Sequence, residues 1–269
     1  MIFVKSEDLK YGMRLAKPIY NKTGVLLYER NTRLTLQGIE SVKNFGLLGL
    51  YILEPAEPVP PMSEEDLDFE RFQTMAVFSI REELDNIIAG REPVNLKRLA
   101  NAIITNYGRL DHKITFTQNL RSTTDYVYKH VINTAILCAL ISAQVYYTPT
   151  EQEELVLAAL LHDIGKLLLP NKVREKYDDY DTNDLIIVKK IQNDGLGLLR
   201  PEIGIDSGVR RIVAQIHRME YGNSNLEQGK ILKSTKILKV ANLFDTMTCM
   251  KISEEAISEI AAIKYLLLN

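Results

Sequence analysis

The segment that decides the fold is an apolar run that leads into a short polar motif and then resumes: Leu155-Val156-Leu157-Ala158-Ala159-Leu160-Leu161-His162-Asp163-Ile164-Gly165-Lys166-Leu167-Leu168-Leu169-Pro170. A histidine beside an aspartate offers an imidazole nitrogen and a carboxylate to one ion, a mixture that suits first-row divalent metals better than calcium or magnesium. A carboxylate can also bridge two ions, and a two-ion site binds both oxygens of a phosphoryl displacement. Gly165 frees the backbone to turn, and Lys166 can meet an anionic phosphate. The motif therefore predicts a metal site at the end of a buried helix.

The composition is that of an ordinary soluble globular protein. The chain has 269 residues, of which 46% are hydrophobic and 25% charged, so we expect one large domain or a domain with a smaller one. The formal net charge of −2 gives no basic footprint for nucleic acid. We therefore expect no nucleic-acid partner.

The sequence also predicts a cytoplasmic location. Cys138 and Cys249 lie inside apolar helical patterns and are typical of core thiols in a reducing compartment. The N-terminus carries charged residues from Lys5 to Lys10 and no long apolar run, which argues against a signal peptide. No stretch of about 18 uninterrupted apolar residues predicts a membrane span.

Residues 1–60 predict a small β-rich N-terminal module. Short apolar runs alternate with the turn signals Tyr11-Gly12, Asn21-Lys22-Thr23-Gly24 and Glu29-Arg30-Asn31-Thr32, which indicates hairpins. A short helix is predicted from Leu36 to Asn44, closed by Gly46, and a strand over Leu50–Leu53. We expect this module to serve packing or homodimer formation rather than chemistry. Prolines at positions 55, 58, 60 and 61 mark its boundary.

From residue 61 onward the pattern is helical, so the predicted fold class is mostly α. Linking helices are predicted within 61–110, the first starting at Ser63 with Asp66 and the second running over 95–107. A helical bundle is predicted over 111–269, with Thr150 and Glu153 forming a capping box for the helix that carries His162. The bundle's other helices are predicted over 124–145, 182–193, 206–218, 229–250 and 253–268.

The motif and its flanks resemble the HD superfamily of metal-dependent phosphohydrolases and, within it, the HD-GYP family. The resemblance runs from about Leu120 to Thr248, and the Leu-x-x-Gly-Met opening at Leu9–Met13 is similar to a module that often precedes such domains. It implies an HD-type helical bundle with a two- or three-metal centre. Active members of the family hydrolyse cyclic di-GMP.

The resemblance also implies which positions would hold metal. One ion would be held at four of them: His130, His162, Asp163 and Asn242. The other would be held at Asp163, Ile191, Ile216 and His217. We expect the histidines of this set, Asp163 and Asn242 to lie near one point.

This chain departs from the family pattern at several of these positions. Its four histidines, which include His112, are fewer than a full two-ion centre uses. Isoleucine at 191 and 216 cannot bind a metal, and Asn242 offers a neutral carbonyl where the family has an aspartate. Arg218 puts a positive charge where the family has a glutamate, and the Gly-Tyr-Pro triplet is absent after Tyr221.

These departures leave several hypotheses open. The first is a degenerate HD-GYP-like protein without efficient phosphodiesterase activity, which acts by binding a protein partner or a cyclic dinucleotide. The second is an active metal-dependent phosphohydrolase in which Asp163 and Lys166 are catalytic. A one-ion iron centre for oxygen chemistry is a third. The expected cofactor is either none, with the His-Asp pair structural, or one weakly bound manganese, iron or zinc ion.

Overall fold

The computed structural model of the chain describes residues 1–45, 47, 49–59, 61–110, 125–176, 180–222, 231–249 and 257–268. Three features of the sequence lie outside these ranges. They are the helix-closing role of Gly46, the fourth histidine, His112, and the segment after Gly222 where the family triplet would stand.

The N-terminal residues form two small antiparallel sheets, as the hairpin pattern predicted. One sheet has the strand order β1-β5-β2, with Phe3 opposite Tyr51 and Leu15 opposite Ile52. The other pairs β3 with β4. The strands are β1 (Ile2–Lys5), β2 (Arg14–Leu15), β3 (Ile19–Tyr20), β4 (Leu26–Tyr28) and β5 (Gly49–Leu53).

One helix packs against these strands and closes the module. Helix α1 (Leu36–Asn44) begins where the side chain of Thr35 accepts a hydrogen bond from the backbone N–H of Gly38, which satisfies a donor that the helix itself cannot pair. Ile39 and Val42 are buried in a small core with Leu15, Leu34 and residues of β5. The module therefore has an apolar core of its own.

Helices account for the rest of the described chain, so the predicted mostly α class is confirmed. Their bounds are α2 (Glu64–Ile88), α3 (Leu96–Tyr107), α4 (Tyr126–Gln144), α5 (Pro149–Leu161), α6 (Asn171–Arg174), α7 (Thr182–Leu198), α8 (Ser207–Tyr221), α9 (Lys233–Thr248) and α10 (Glu259–Leu268). Among the differences from the predicted bounds, α7 continues past residue 193 to Leu198, and α10 begins at Glu259 rather than at 253.

The start of α5 corrects one sequence prediction. The capping box is formed by Thr148 and Glu151, and not by Thr150 and Glu153. The backbone N–H of Glu151 donates to the Thr148 hydroxyl, and that of Thr148 donates to the Glu151 carboxylate. Pro149 explains the register, because proline has no N–H and suits the first position inside a helix. The capping box of Ser63 and Asp66 on α2 stands as predicted.

One apolar core joins α2 and α3 to α4, α5, α8 and α9. Helix α4 lies at its centre, with Val131, Ile132 and Ala135 fully buried. By length and composition α4 could cross a membrane, but 72% of its apolar window is buried inside the protein. Its hydropathy is therefore that of a core helix, and α2 and α3 share the core of the bundle that they precede.

Truncation of a core leucine tests this packing. We expect Leu160→Ala to lower the free energy of unfolding by about 2–5 kcal/mol, because Leu160 is fully buried and the change leaves a cavity in the core. Chemical denaturation measures the change. Leu267→Ala is the matched control, since Leu267 is 81% exposed. Equal effects of the two substitutions would contradict the core assignment.

Candidate metal centre

The His-Asp motif lies where α5 ends and a tight turn begins. His162 is the C-cap residue that follows α5, and Asp163 is the N-cap of a 3-10 helix at Ile164–Leu168. Gly165 is needed here because this turn presses on α7: a Cβ atom at Gly165 would lie 2.8 Å from Gln192 Cα. A Cβ at Gly195 would in turn lie 2.6 Å from Gly165 Cα. The two backbones touch, and this contact fixes the turn that carries Asp163.

Three of the predicted ligands converge on one point. His130 is the fifth residue of α4. Its Nε2 atom lies 3.5 Å from Asp163 Oδ2. His162 Nε2 lies 3.6 Å from the same oxygen. One donor atom from each of the three residues lies within 4.8 Å of the others, and all three side chains are buried. The sequence mapping of His130 onto the motif is therefore supported by the geometry.

The Nδ1 atoms of His130 and His162 are both hydrogen-bonded, and these bonds fix the orientation of the two rings. His130 Nδ1 lies 2.6 Å from Asp245 Oδ2, and His162 Nδ1 lies 2.8 Å from the carbonyl oxygen of Ala159. Since each of these partners is an acceptor, each Nδ1 carries the proton and each Nε2 carries a lone pair. Within the described residues neither Nε2 has a hydrogen-bond partner. A carboxylate or carbonyl behind the imidazole is the arrangement that orients histidine ligands in metal sites.

The carboxylate of Asp163 stays ionised in this buried setting. Burial alone would raise its pKa, but the Lys166 ammonium, 2.8 Å from Oδ2, and the two imidazoles hold the pKa of Asp163 below its usual range. Gln192 adds a hydrogen bond from its amide nitrogen to Oδ1 at 3.0 Å. Burial lowers the pKa of His162 to about 4, so that ring is neutral near pH 7. The centre thus presents the carboxylate of Asp163 and the neutral imidazole of His162 side by side.

The remaining predicted ligands have other contacts. His217 Nε2 donates to the carbonyl oxygen of His162 at 2.6 Å, and burial lowers the pKa of this ring. The amide nitrogen of Asn242 donates to Glu220 Oε1 at 2.6 Å. Ile216 is fully buried in the main core, and Ile191 packs beside a small cluster that contains Leu169, Val173 and Val188. Whether His217 and Asn242 ligate an ion stays a prediction.

Two of the contacts that build the centre were not found by sequence reasoning. Gln192, rather than its neighbour Ile191, is the α7 residue that touches Asp163, and no motif marks it. Glu220 engages Asn242 from α8, also without a sequence signal. Asp245 on α9 reaches the centre through its bond to His130.

These residues fit a divalent cation. The Nε2 atoms of His130 and His162 converge on the ionised carboxylate of Asp163 and have no hydrogen-bond partner among the described residues, and unpaired buried acceptors are costly unless a cation or a donor meets them. Two imidazoles and one carboxylate form a donor set that suits zinc, iron or manganese. Three protein ligands also leave coordination positions for water or a bound oxygen ligand.

Comparison with known proteins agrees with this geometry. The family model described as "HD domain" matches residues 127–247, a range that contains all of these side chains. Residues 127–247 thus match an HD domain, and the comparisons support the resemblance to the HD-GYP family. The chain is similar to the cyclic di-GMP phosphodiesterase response regulator RpfG of Xanthomonas campestris pv. campestris (strain 8004), with 25% identity over 134 residues. That match covers 48% of this chain and 35% of the relative, so the chain spans about a third of the curated relative it matches.

A solved structure shares the fold over nearly the whole chain. Bd1817, an HDG"Y"P protein from Bdellovibrio bacteriovorus, is similar with a TM-score of 0.58 and 17% sequence identity. The likeness covers 99% of this chain and 93% of that one. The N-terminal module is therefore included in the structural similarity, whereas the family model matches residues 127–247 of the bundle.

The bond between Asp245 and His130 can be tested through metal affinity. We expect Asp245→Asn to weaken the binding of Mn²⁺ or Zn²⁺ by about 10–100-fold. The reason is that the neutral carbonyl of asparagine holds the Nδ1 proton of His130 less strongly than the charged carboxylate of Asp245 does. Isothermal titration of the purified chain measures the affinity. Asp194→Asn on the exposed side of α7 is the control and should leave it unchanged. An unaltered affinity in Asp245→Asn would contradict the ligand role of His130.

Proposed function

We propose that this protein binds one divalent metal ion at His130, His162 and Asp163 and acts by binding a cyclic dinucleotide or a protein partner, without efficient phosphodiesterase activity. The single observation that carries the proposal is a contrast between two groups of positions. The first-ion residues converge with oriented lone pairs. The positions that the resemblance assigns to a second ion carry two isoleucines and a histidine that is bonded to the backbone.

The support for one ion is the completeness of the three-residue set. Both Nε2 atoms lie within 3.6 Å of the same carboxylate oxygen, and Asp245 and Ala159 hold the rings in the matching tautomer. An ion bound there would supply Lewis-acid polarisation of a phosphate oxygen. His130, His162 and Asp163 would bind this ion and exclude water from the side of the ion that they cover, since all three side chains are buried.

The support against a second ion lies on α7 and α8. Hydrolysis by the two-ion route needs a second cation to stabilise the attacking or leaving oxygen. Ile191 and Ile216 have no donor atom, and His217 Nε2 is committed to the carbonyl oxygen of His162 at 2.6 Å. Loss of one outer partner alone can reduce metal affinity by about 10–100-fold. The loss of both direct metal ligands at positions 191 and 216 therefore favours a protein that binds its phosphate ligand without hydrolysing it efficiently.

The ligand class follows from the relatives and from Lys166. The named activity of RpfG is hydrolysis of cyclic di-GMP, and a cyclic dinucleotide is the phosphate ligand that an HD-GYP-type pocket would take. Lys166 is buried, and its ammonium is bonded to Asp163. A lysine in that bond is poorly placed to grip a substrate phosphate, which again favours a protein with weak or no hydrolysis.

A second candidate is an active phosphohydrolase that uses one or two divalent ions, with Asp163 and Lys166 in catalytic roles. The observation in its favour is the open coordination of a three-ligand site, which in other metalloenzymes leaves room for a reactive water. The two candidates differ in a direct assay. Release of a linear dinucleotide or mononucleotide from cyclic di-GMP, abolished by Asp163→Asn, would support this second candidate.

Metal content is the first test of the proposal. We expect about one manganese, iron or zinc ion per chain after purification without added metal or chelator, because three protein ligands suffice for a mononuclear site. Elemental analysis measures it, with the double variant His130→Gln/His162→Gln as the control that should bind none. About two ions per chain would contradict the proposed loss of the second ion. No metal would leave the His-Asp pair as a structural element.

Restoring the family's aspartate at position 242 should not restore a two-ion centre. Asn242 donates to Glu220 and is 8% exposed. In Asn242→Asp two carboxylates would face each other, so we expect the free energy of unfolding to fall by about 1–3 kcal/mol. The double variant Asn242→Asp/Glu220→Gln should recover most of that loss, as measured by denaturation. Unchanged stability together with a second bound ion would contradict the prediction.

A further inference from the structure

A buried cluster of charges joins the N-terminal module to the start of α4. The module contributes Lys17 and Tyr51, α2 contributes Glu70, and α4 contributes Lys129 and its N-cap residue Asp125. Lys129 Nζ lies 3.0 Å from Asp125 Oδ2 and donates to the Tyr51 hydroxyl at 3.0 Å. Lys17 forms an ion pair with Glu70. Two cations and two carboxylates thus surround one aromatic ring.

The charged side chains of this cluster are buried, so their relative positions are tightly constrained. Tyr51, Asp125 and Lys129 are each at most 8% exposed. The ammonium groups of Lys17 and Lys129 lie 5.0 and 4.8 Å from the centre of the Tyr51 ring. Removal of one partner from a buried pair leaves an uncompensated charge, which is strongly unfavourable. The module therefore holds the first turn of α4 through specific contacts.

That first turn also carries the metal-site histidine. Asp125 and Lys129 are four residues apart and face the module, and His130 follows at the next position, about 100° further round the helix. Tyr126 stacks on the His130 ring with an interplanar angle of 6° and a centroid distance of 5.9 Å. Contacts to the module and contacts to the metal centre thus lie within the six residues 125–130 at the start of α4.

A small movement of this turn changes the metal geometry. His130 must hold Nε2 toward Asp163 while its Nδ1 stays bonded to Asp245, and direct ligation requires distances near 2 Å. The five clustered side chains also border a cavity of about 100 Å³, which leaves space for the turn to shift. A helical turn moves as a unit, so a displacement at Lys129 is a displacement at His130.

We propose that Tyr51 and Lys129 are positioning residues for His130, so that the N-terminal module sets the geometry of the metal centre through the first turn of α4. The proposal rests on the proposed function only for its metal readout. A movement of the module, whatever causes it, is then transmitted to the ion site through the hydrogen bond and the cation–π contact between Tyr51 and Lys129. The module is a regulatory element of the HD site in this arrangement.

The decisive variant is Tyr51→Phe in the full chain, which removes the hydroxyl that Lys129 contacts and keeps the ring. Tyr11→Phe is the matched control, because Tyr11 lies in the same module and is 73% exposed. Lys129→Met is the second variant and removes the charge itself. Circular dichroism and thermal unfolding establish that each chain is folded before the two readouts are compared.

The first readout is the imidazole signal of His130 in the nitrogen-15 NMR spectrum. It needs no metal, and the chain has four histidines to assign. The proton between His130 Nδ1 and Asp245 should shift or exchange faster in Tyr51→Phe and Lys129→Met, and should stay unchanged in Tyr11→Phe. A folded Tyr51→Phe chain with an unaltered His130 signal would overturn the proposal.

The second readout is the affinity for Mn²⁺ by isothermal titration. We expect Tyr51→Phe to weaken it by at least about threefold, less than the loss for a direct partner of a ligand. Val42→Ala in the module core separates this effect from general destabilisation, because Val42 is buried away from the cluster and should leave the affinity unchanged. If the wild-type chain binds no metal, the proposed function fails, and the NMR comparison alone decides the positioning role.

Discussion

The structure depends on keeping one carboxylate charged inside the core. Asp163 is 1% exposed, and a buried charge is tolerated only when it is paired and hydrogen-bonded. Its partners arrive from different parts of the chain: His130 from α4, Lys166 from the turn after α5, and Gln192 from α7. Asp245 on α9 reaches the same centre through His130. The packing of these helices and the electrostatics of Asp163 are therefore one constraint.

Much of the fold could be predicted from the sequence, because the helix-capping residues and the spacing of the apolar residues indicate the same helices. The Thr35 and Ser63 helix starts, the boundary before α2 and the burial of the His-Asp motif all follow from side-chain chemistry. The cap of α5 was placed two residues late, since Thr148 and Thr150 each have a glutamate three residues on, and only Pro149 distinguishes them. Helix α7 runs past the predicted end at residue 193 to Leu198, and Gly195 lies inside it as a packing position against Gly165.

The centre was less predictable, for a physical reason. His130 could be paired with the motif by its resemblance to a family pattern, but the donor that touches Asp163 from α7 is set by the rotation of that helix. A difference of one position along a helix is a rotation of about 100°, which separates the core-facing Gln192 from the partly exposed Ile191. The partners of Asn242 and His217 depend on tertiary contacts across α5, α8 and α9, which no spacing in the sequence encodes.

The contact between Gly165 and Gly195 has a consequence for how such a site can change over evolutionary time. Because the turn and α7 meet through backbone atoms, the position of Asp163 depends little on the α7 side chains other than Gly195 and Gln192. Residues on that helix can be exchanged, donor for isoleucine, while the carboxylate stays where it is. In such a fold the backbone and the metal ligands can change independently during evolution. Related proteins with nearly superimposable backbones can therefore hold different numbers of ions.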